Sequence, residues 1–249
     1  MSRPRNPLIA IPARLAATRL PRKPLDVRIG GEPMIVCVWR RAVAADIGPV
    51  IVAAGDAEIV AAIEAVGGNA VLTDPALPSG SDRVHAAAAA YDPTGRHDAV
   101  INLQGDLPTI DPAMVARVVD PLSEPAVDIA TLVAPMDPRL RDDPNSVKAV
   151  MALTPGASMG RALYFSRATV PYGDGPLYHH MGVYAYRPAA LARFVALPPS
   201  ALEARERLEQ LRALEAGMRI DAAIVGAVPP EINAPEDLPR LGATYVGKL

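Results

Sequence analysis

LIAIPARLAATRLPRKPL, residues 8–25, decides the fold. A short apolar run, Leu8 to Pro12, opens directly into a loop carrying Arg14, Arg19, Arg22 and Lys23, and a helical stretch follows from Met34. That order reads as a buried strand of a parallel βαβ unit, covered on both faces. The pattern repeats downstream. Residues 50–54 predict a second strand and 56–66 a helix, 70–73 a third strand and 82–91 a helix, and 99–103 a fourth strand. In open α/β sheets ligands collect beyond the carboxyl ends of the strands. The segments after Pro12, Ala54, Thr73 and Leu103 are therefore where chemistry is expected.

The pattern changes after Pro121. Residues 129–133, 147–153, 162–165 and 181–186 read as strands with no helices between them. A (β/α)8 barrel would keep alternating, so the expectation is an α/β fold with an open, mixed, mostly parallel sheet flanked by helices. Helices are predicted over 188–195 and 200–215, a last strand over 222–225, and a C-terminal helix from about residue 234. With no repeat and no low-complexity linker, residues 1–249 read as a single domain.

Half of the 249 residues are apolar, about a fifth are charged and the net charge is −2, a composition with enough chain for a sizeable core. The charge balance leaves no nucleic-acid footprint. No segment reaches the ~20 apolar residues of a membrane span, and the N-terminus lacks the apolar stretch of a signal peptide, so a cytoplasmic location is expected. Cys37 is the only cysteine. It excludes a disulfide framework and a cysteine zinc site, and in an apolar helix it reads as core filling. Only three lysines occur, Lys23, Lys148 and Lys248, which draws attention to the first two.

Five segments can carry chemistry. Arg14, Arg19 and Lys23 could surround a triphosphate, which bears about four negative charges; the bland alternative is a solvated basic loop. Ser79-Gly80-Ser81-Asp82-Arg83 enters a helix, whose N–H groups could meet a base or phosphate, or Ser79 or Ser81 is simply an N-cap. Gln104-Gly105-Asp106 ends the fourth strand, where Asp106 is placed for Mg²⁺, or else bonds its own turn. Arg167 could pair with a carboxylate. The neighbours His179 and His180 face opposite sides of a strand and make a poor joint zinc site. Ser200 and Glu203 form a capping-box pattern, while Glu209 and Gln210 either bond sugar hydroxyls or form a solvated face.

Taken in order, the stretches IPARLAATRLPRKPL, LPSGSDR, NLQGD, ALYFSRATVPY, HHMGVYAYR and LPPSALEARERLEQLRALEAG resemble the 3-deoxy-manno-octulosonate (Kdo) cytidylyltransferases, from Ile9 to about Leu241. The last two stretches distinguish this family from the sialic-acid and methylerythritol-phosphate cytidylyltransferases. The resemblance implies a nucleotide-diphospho-sugar transferase fold related to the Rossmann type, with a small β-rich dimerisation and substrate portion, and a homodimer. It implies CTP, Mg²⁺ and an eight-carbon sugar acid, joined with release of pyrophosphate for lipopolysaccharide biosynthesis. By position, Arg14, Arg19 and Lys23 would hold the triphosphate, with Arg14, Lys23 and Asp106 as the catalytic set. Ser79, Gly80, Ser81 and Gln104 would recognise cytidine, Asp106 would bind Mg²⁺, and Arg167, His180, Tyr184, Glu209 and Gln210 would bind the acid.

Three departures from that family stand out. Arg22 replaces the Gly that usually precedes the loop lysine. Ala53-Ala54-Gly55-Asp56 replaces an Ala-Thr-Asp pattern. Asn233 replaces the second metal-binding Asp. Asn caps a helix about as well as Asp, so folding should be indifferent to Asn233, whereas a metal loses a charged ligand there. Two alternatives therefore stand beside Kdo transfer: a related acceptor such as an amino-substituted acid, or a nucleotide-binding homologue weakened in catalysis.

Overall fold

The computed structural model describes residues 3–16, 20–232 and 237. The chain forms two compact units, one built on Arg5–Ala116 with the described residues from Pro229, the other on Arg117–Val228.

The first unit contains β1 (Pro7–Ala13), α1 (Lys23–Asp26), the two-residue strands β2 (Arg28–Ile29) and β3 (Glu32–Pro33), α2 (Met34–Ala44), β4 (Val50–Ala54), α3 (Ala57–Glu64), β5 (Asn69–Leu72), α4 (Gly80–Tyr91), β6 (Ala99–Asn102) and α5 (Pro112–Arg117), the last ending at its boundary. The large strands lie in the order β5-β4-β1-β6. All their pairings are parallel, with Ile9 beside Val50 and Ile101, and Ala54 beside Leu72. β1, β4 and β6 are almost wholly buried, as continuous apolar runs with both faces covered should be. Because the strands are parallel, their carboxyl ends share one edge.

The second unit contains β7 (Ile129–Pro135), β8 (Lys148–Ala152), β9 (Met159–Ser166), β10 (Tyr178–Tyr186), α6 (Pro188–Val195), α7 (Ala201–Glu206), α8 (Gln210–Glu215) and β11 (Ile220–Ile224). Its strands run β10-β7-β11-β9-β8, and β8 also pairs with the start of β10. Only β7 and β11 are parallel; the other pairs are antiparallel. A register shift between Met181 and Tyr184 marks a bulge in β10.

The main strands and helices follow the alternation read from the sequence. The short elements α1, β2, β3 and α5 carry too little periodicity to be read. One element is corrected: the single helix expected over 200–215 is two helices, α7 and α8, because Arg207 adopts a left-handed conformation (φ 54°). Cys37 is a second correction. It is half-buried rather than fully in the core, with Sγ 3.6 Å from the Ile29 carbonyl, and burial pushes its thiol pKa up. The helix expected from residue 234 lies outside the described residues.

Candidate active site

The loops at the carboxyl edge of the first unit enclose a pocket of about 300 Å³, lined among others by Arg14, Lys23, Ser79, Gly80, Gln104 and Asp106. Local contacts shape each loop. Asp56 precedes α3 but does not cap it; its carboxylate accepts the Leu15 N–H at 2.8 Å, anchoring the segment that carries Arg14. Arg22 stands at φ 55° where that loop enters α1, and its guanidinium meets both carboxylate oxygens of Glu58, at 2.7 and 3.2 Å. A left-handed backbone is the conformation glycine adopts without a steric penalty. That suits the glycine which the resemblance implies at this position, while the arginine found here adds an exposed bridge to α3.

Lys23 joins three segments. Its Nζ lies 3.3 Å from Asp106 Oδ2 and donates to the Ile232 carbonyl at 2.7 Å, while the Ile232 N–H donates to the Asp106 carbonyl at 3.1 Å. Both charged side chains keep some exposure, 15% and 23%. A cation and a carboxylate thus face the same pocket. Among the described residues no group of three or more His, Cys, Asp or Glu could hold a metal ion. One carboxylate nevertheless suits Mg²⁺, which takes one or two carboxylates together with substrate phosphates.

Opposite partners fix the polar groups of the pocket wall. The Ser79 hydroxyl accepts the Asp82 N–H at 3.2 Å and donates to Asp82 Oδ2 at 2.6 Å, so it serves α4 as an N-cap. Ser81 is buried, takes a bond from Asn102 Nδ2 at 3.4 Å, and is not among the lining residues. Gln104 donates its Nε2 to Asn102 Oδ1 at 2.8 Å, which leaves Oε1 as an acceptor on the side of Gly80. Gly105 approaches the Pro12 carbonyl so closely that a Cβ would lie 3.0 Å from it.

Arg83 also lines the pocket, though sequence reasoning gave it no role. It is buried, with Nη1 bonded to Thr73 Oγ1 at 2.6 Å and the Asp74 carbonyl at 3.1 Å. Burial first, and then the charge of Arg14, hold its pKa below the usual arginine value. A Cβ on Gly55 would sit 2.9 Å from Nη1, so the glycine found there makes room for this guanidinium. Nothing in LPSGSDR sets it apart from the polar side chains beside it, so the sequence carried no signal for it. Arg19 and Asn233 lie outside the described residues.

The other candidate residues belong to the second unit. His180 on β10 is buried, edge-on to Phe165 and 5.5 Å from the Tyr184 ring. Burial, and secondarily His179, bring its pKa down to about 3, so it is neutral at pH 7. Its Nε2 lies 3.0 Å from Thr131 Oγ1, and that hydroxyl reaches the Val183 carbonyl, freed by the bulge, at 2.8 Å. One hydroxyl has one proton. Thr131 Oγ1 also lies 3.2 Å from the Met181 carbonyl, so its proton has two carbonyl acceptors; with the proton on the shorter Val183 bond, Thr131 accepts from His180 Nε2–H, the tautomer consistent with these contacts. Arg167 uses three of its N–H groups on carbonyls: Glu206 at 2.8 Å, Pro144 at 2.9 Å and Arg207 at 3.3 Å. A guanidinium has five, so two remain. Gln210 is buried and its Nε2 has no hydrogen-bond partner. Glu209 precedes it as the N-cap of α8.

The family model described as cytidylyltransferase matches residues 8–220. The chain is 64% identical over 241 residues to the 3-deoxy-manno-octulosonate cytidylyltransferase of Rhodospirillum centenum, covering 96% of this chain and 93% of the relative. It is 60% identical over 245 residues to the protein of that name from Methylobacterium radiotolerans, covering 98% of each. Among solved structures, a CMP:2-keto-3-deoxy-manno-octonic acid synthetase complexed with CTP superposes with a TM-score of 0.85 at 36% identity, over 95% of this chain and 96% of that one.

Proposed function

The chain belongs to the cytidylyltransferase family, and from that premise we propose that it transfers CMP from CTP to 3-deoxy-D-manno-octulosonate, giving CMP-Kdo and pyrophosphate for lipopolysaccharide assembly. One observation carries the reading: a single pocket holds Arg14, Lys23 and Asp106 for a polyphosphate and an unused Gln104 carbonyl for a base. Cytosine presents an amino donor at its N4 position, where uracil presents an acceptor. Gln104 Oε1 can accept from that amino group, so the wall favours CTP over UTP.

The anomeric hydroxyl of the acceptor attacks the α-phosphorus. A new P–O bond forms, the bond to the β-phosphate breaks with its electron pair leaving on pyrophosphate, and the hydroxyl proton passes to solvent water. Such a reaction depends on positioning and on offsetting charge. Arg14 and Lys23, with Arg19 by sequence, would offset the charge of the departing pyrophosphate. Asp106 would hold a Mg²⁺ ion shared with the nucleotide phosphates, with Asn233 as a weaker second ligand; when bound, the ion supplies further neutralisation there. On the acceptor, the two remaining Arg167 N–H groups would bind the carboxylate. His180 Nδ1 would accept from a hydroxyl, and Tyr184, Glu209 and Gln210 would contact the others. Ser79, Gly80 and Ser81 would act on cytidine through the α4 N-terminus they shape. Among the described residues no helix is long and apolar enough to cross a membrane. From the family resemblance alone we propose a cytoplasmic homodimer.

The test is a coupled pyrophosphate assay with CTP and Kdo across a Mg²⁺ titration, beside calorimetry of CTP alone. Pyrophosphate release with Kdo, and little with UTP, is expected. CTP binding with a flat assay overturns the transfer reaction and leaves a binding protein; release only with an amino-substituted acid moves the specificity.

A further inference from the structure

We propose that Glu206 is a positioning residue for the sugar acid: with Arg167 and Lys148 it holds open the break between α7 and α8 that presents Glu209 and Gln210. The proposal rests on the acceptor reading given above, and it starts from an anomaly in the helix. Residues 204–212, ARERLEQLR, contain neither Gly nor Pro and consist of good helix formers. Local preference would carry one helix through them. Instead Arg207 is left-handed, a conformation disfavoured for any residue with a Cβ. Something outside the helix therefore imposes the break.

The contacts identify it. The Glu206 carboxylate accepts the Ser166 hydroxyl at 2.8 Å through Oε1 and the Arg167 N–H at 3.0 Å through Oε2, tying the end of α7 to the end of β9. The Arg167 guanidinium returns the tie by donating to the carbonyls of Glu206 and Arg207. These carbonyls lie at the end of α7, where backbone acceptors lack intrahelical partners. Beneath them Lys148, fully buried, donates to the carbonyls of Arg167 and Asp143, at 3.2 and 2.7 Å. A buried ammonium bonded to the backbone of Arg167 fixes the platform on which the tie rests.

The break has a consequence for the ligand. It restarts the chain as α8 with Glu209 at the N-cap and Gln210 in the first turn, and Gln210 Nε2 is buried without a partner. Such a donor is costly unless something completes it. A sugar hydroxyl oxygen has the required chemistry. A continuous helix would rotate both residues away from this arrangement, so the tie governs acceptor binding without touching the acceptor.

The experiment uses Glu206→Ala and Glu206→Gln in the full chain. Glu206→Ala should raise the KM for Kdo at least tenfold while the KM for CTP stays within twofold. Glu206→Gln, which keeps an oxygen for the Ser166 hydroxyl, should recover part of the loss. Hydrogen exchange over residues 201–215 gives a readout independent of substrate: Glu206→Ala should change protection at 206–211 and leave β1, β4 and β6 as in the parent. An unchanged exchange pattern overturns the proposal, whichever acid is the substrate. So does a parallel rise in both KM values together with a general loss of protection, which marks a purely structural role. If Glu206→Ala does not fold, Glu206→Gln and Ser166→Ala carry the same two measurements. Failure of the parent protein to release pyrophosphate with Kdo overturns the acceptor reading alone, and the exchange result still decides the tie.

Discussion

The two units handle charge in opposite ways. In the first, Arg14 and Asp106 stand on loops after parallel strands, Lys23 opens α1, and all three keep some access to water. In the second, Lys148 and Gln210 are buried, His180 is kept neutral by burial, and Arg167 is held by backbone carbonyls. A site for a polyphosphate needs charge that stays accessible and can be offset when the ligand arrives. A site for a polyhydroxy acid needs fixed donors and acceptors, and fixing them requires partners already in place. Charge is the working group in one unit and a structural fastener in much of the other.

The largest expected effect tests the first half of that contrast. Asp106→Ala should lower turnover by about 10²–10³-fold, the scale of losing one electrostatic stabiliser, with the melting temperature nearly unchanged. Normal turnover in this variant would show that the carboxylate is not working charge. The second half is tested by pH. His180 has a folded pKa near 3, below the ordinary value of 6.5. Between these values the unfolded chain binds a proton that the folded one does not, so stability is complete above about pH 6.5 and falls as pH drops towards 3. The slope is at most about 1.4 kcal/mol per pH unit from this group. Urea titrations at pH 7, 5.5 and 4.5 should show a shallower decline in His180→Asn; equal slopes would mean that the imidazole is not kept neutral by the fold.

Asn233→Asp tests the metal reading with a smaller effect. Adding a charged ligand should lower the Mg²⁺ concentration for half-maximal rate several-fold without changing the melting temperature, and an unchanged Mg²⁺ dependence would remove residue 233 from the metal's surroundings. The smallest effect concerns the backbone. Arg22→Ala and Arg22→Gly both lose the bridge to Glu58, but only glycine relieves the left-handed strain. The glycine variant should be the more stable by about 1 kcal/mol, read from denaturation midpoints. Equal midpoints would place the loop in another conformation once the arginine is gone.

How much could be read in advance follows from these same residues. β1, β4 and β6 were legible because a strand covered on both faces must be continuously apolar, and the positions of Arg14, Lys23 and Asp106 were legible because such strands place the residues that follow them at the ligand edge. Arg83 escaped notice because nothing in LPSGSDR says which polar side chain faces the pocket. Ser81, given a role there, turns instead towards Asn102.

The sequence alone determined the alternation of strand and helix and the loops on which phosphate chemistry would stand. These are local properties, set by periodicity, charge and residue type. Only the tertiary structure decided that Lys23 meets Asp106, that Gly55 makes room for Arg83, and that a run of good helix formers breaks at Arg207. Each of these depends on contacts between residues distant in the chain, and at Arg207 such contacts outweigh the local preference of the backbone.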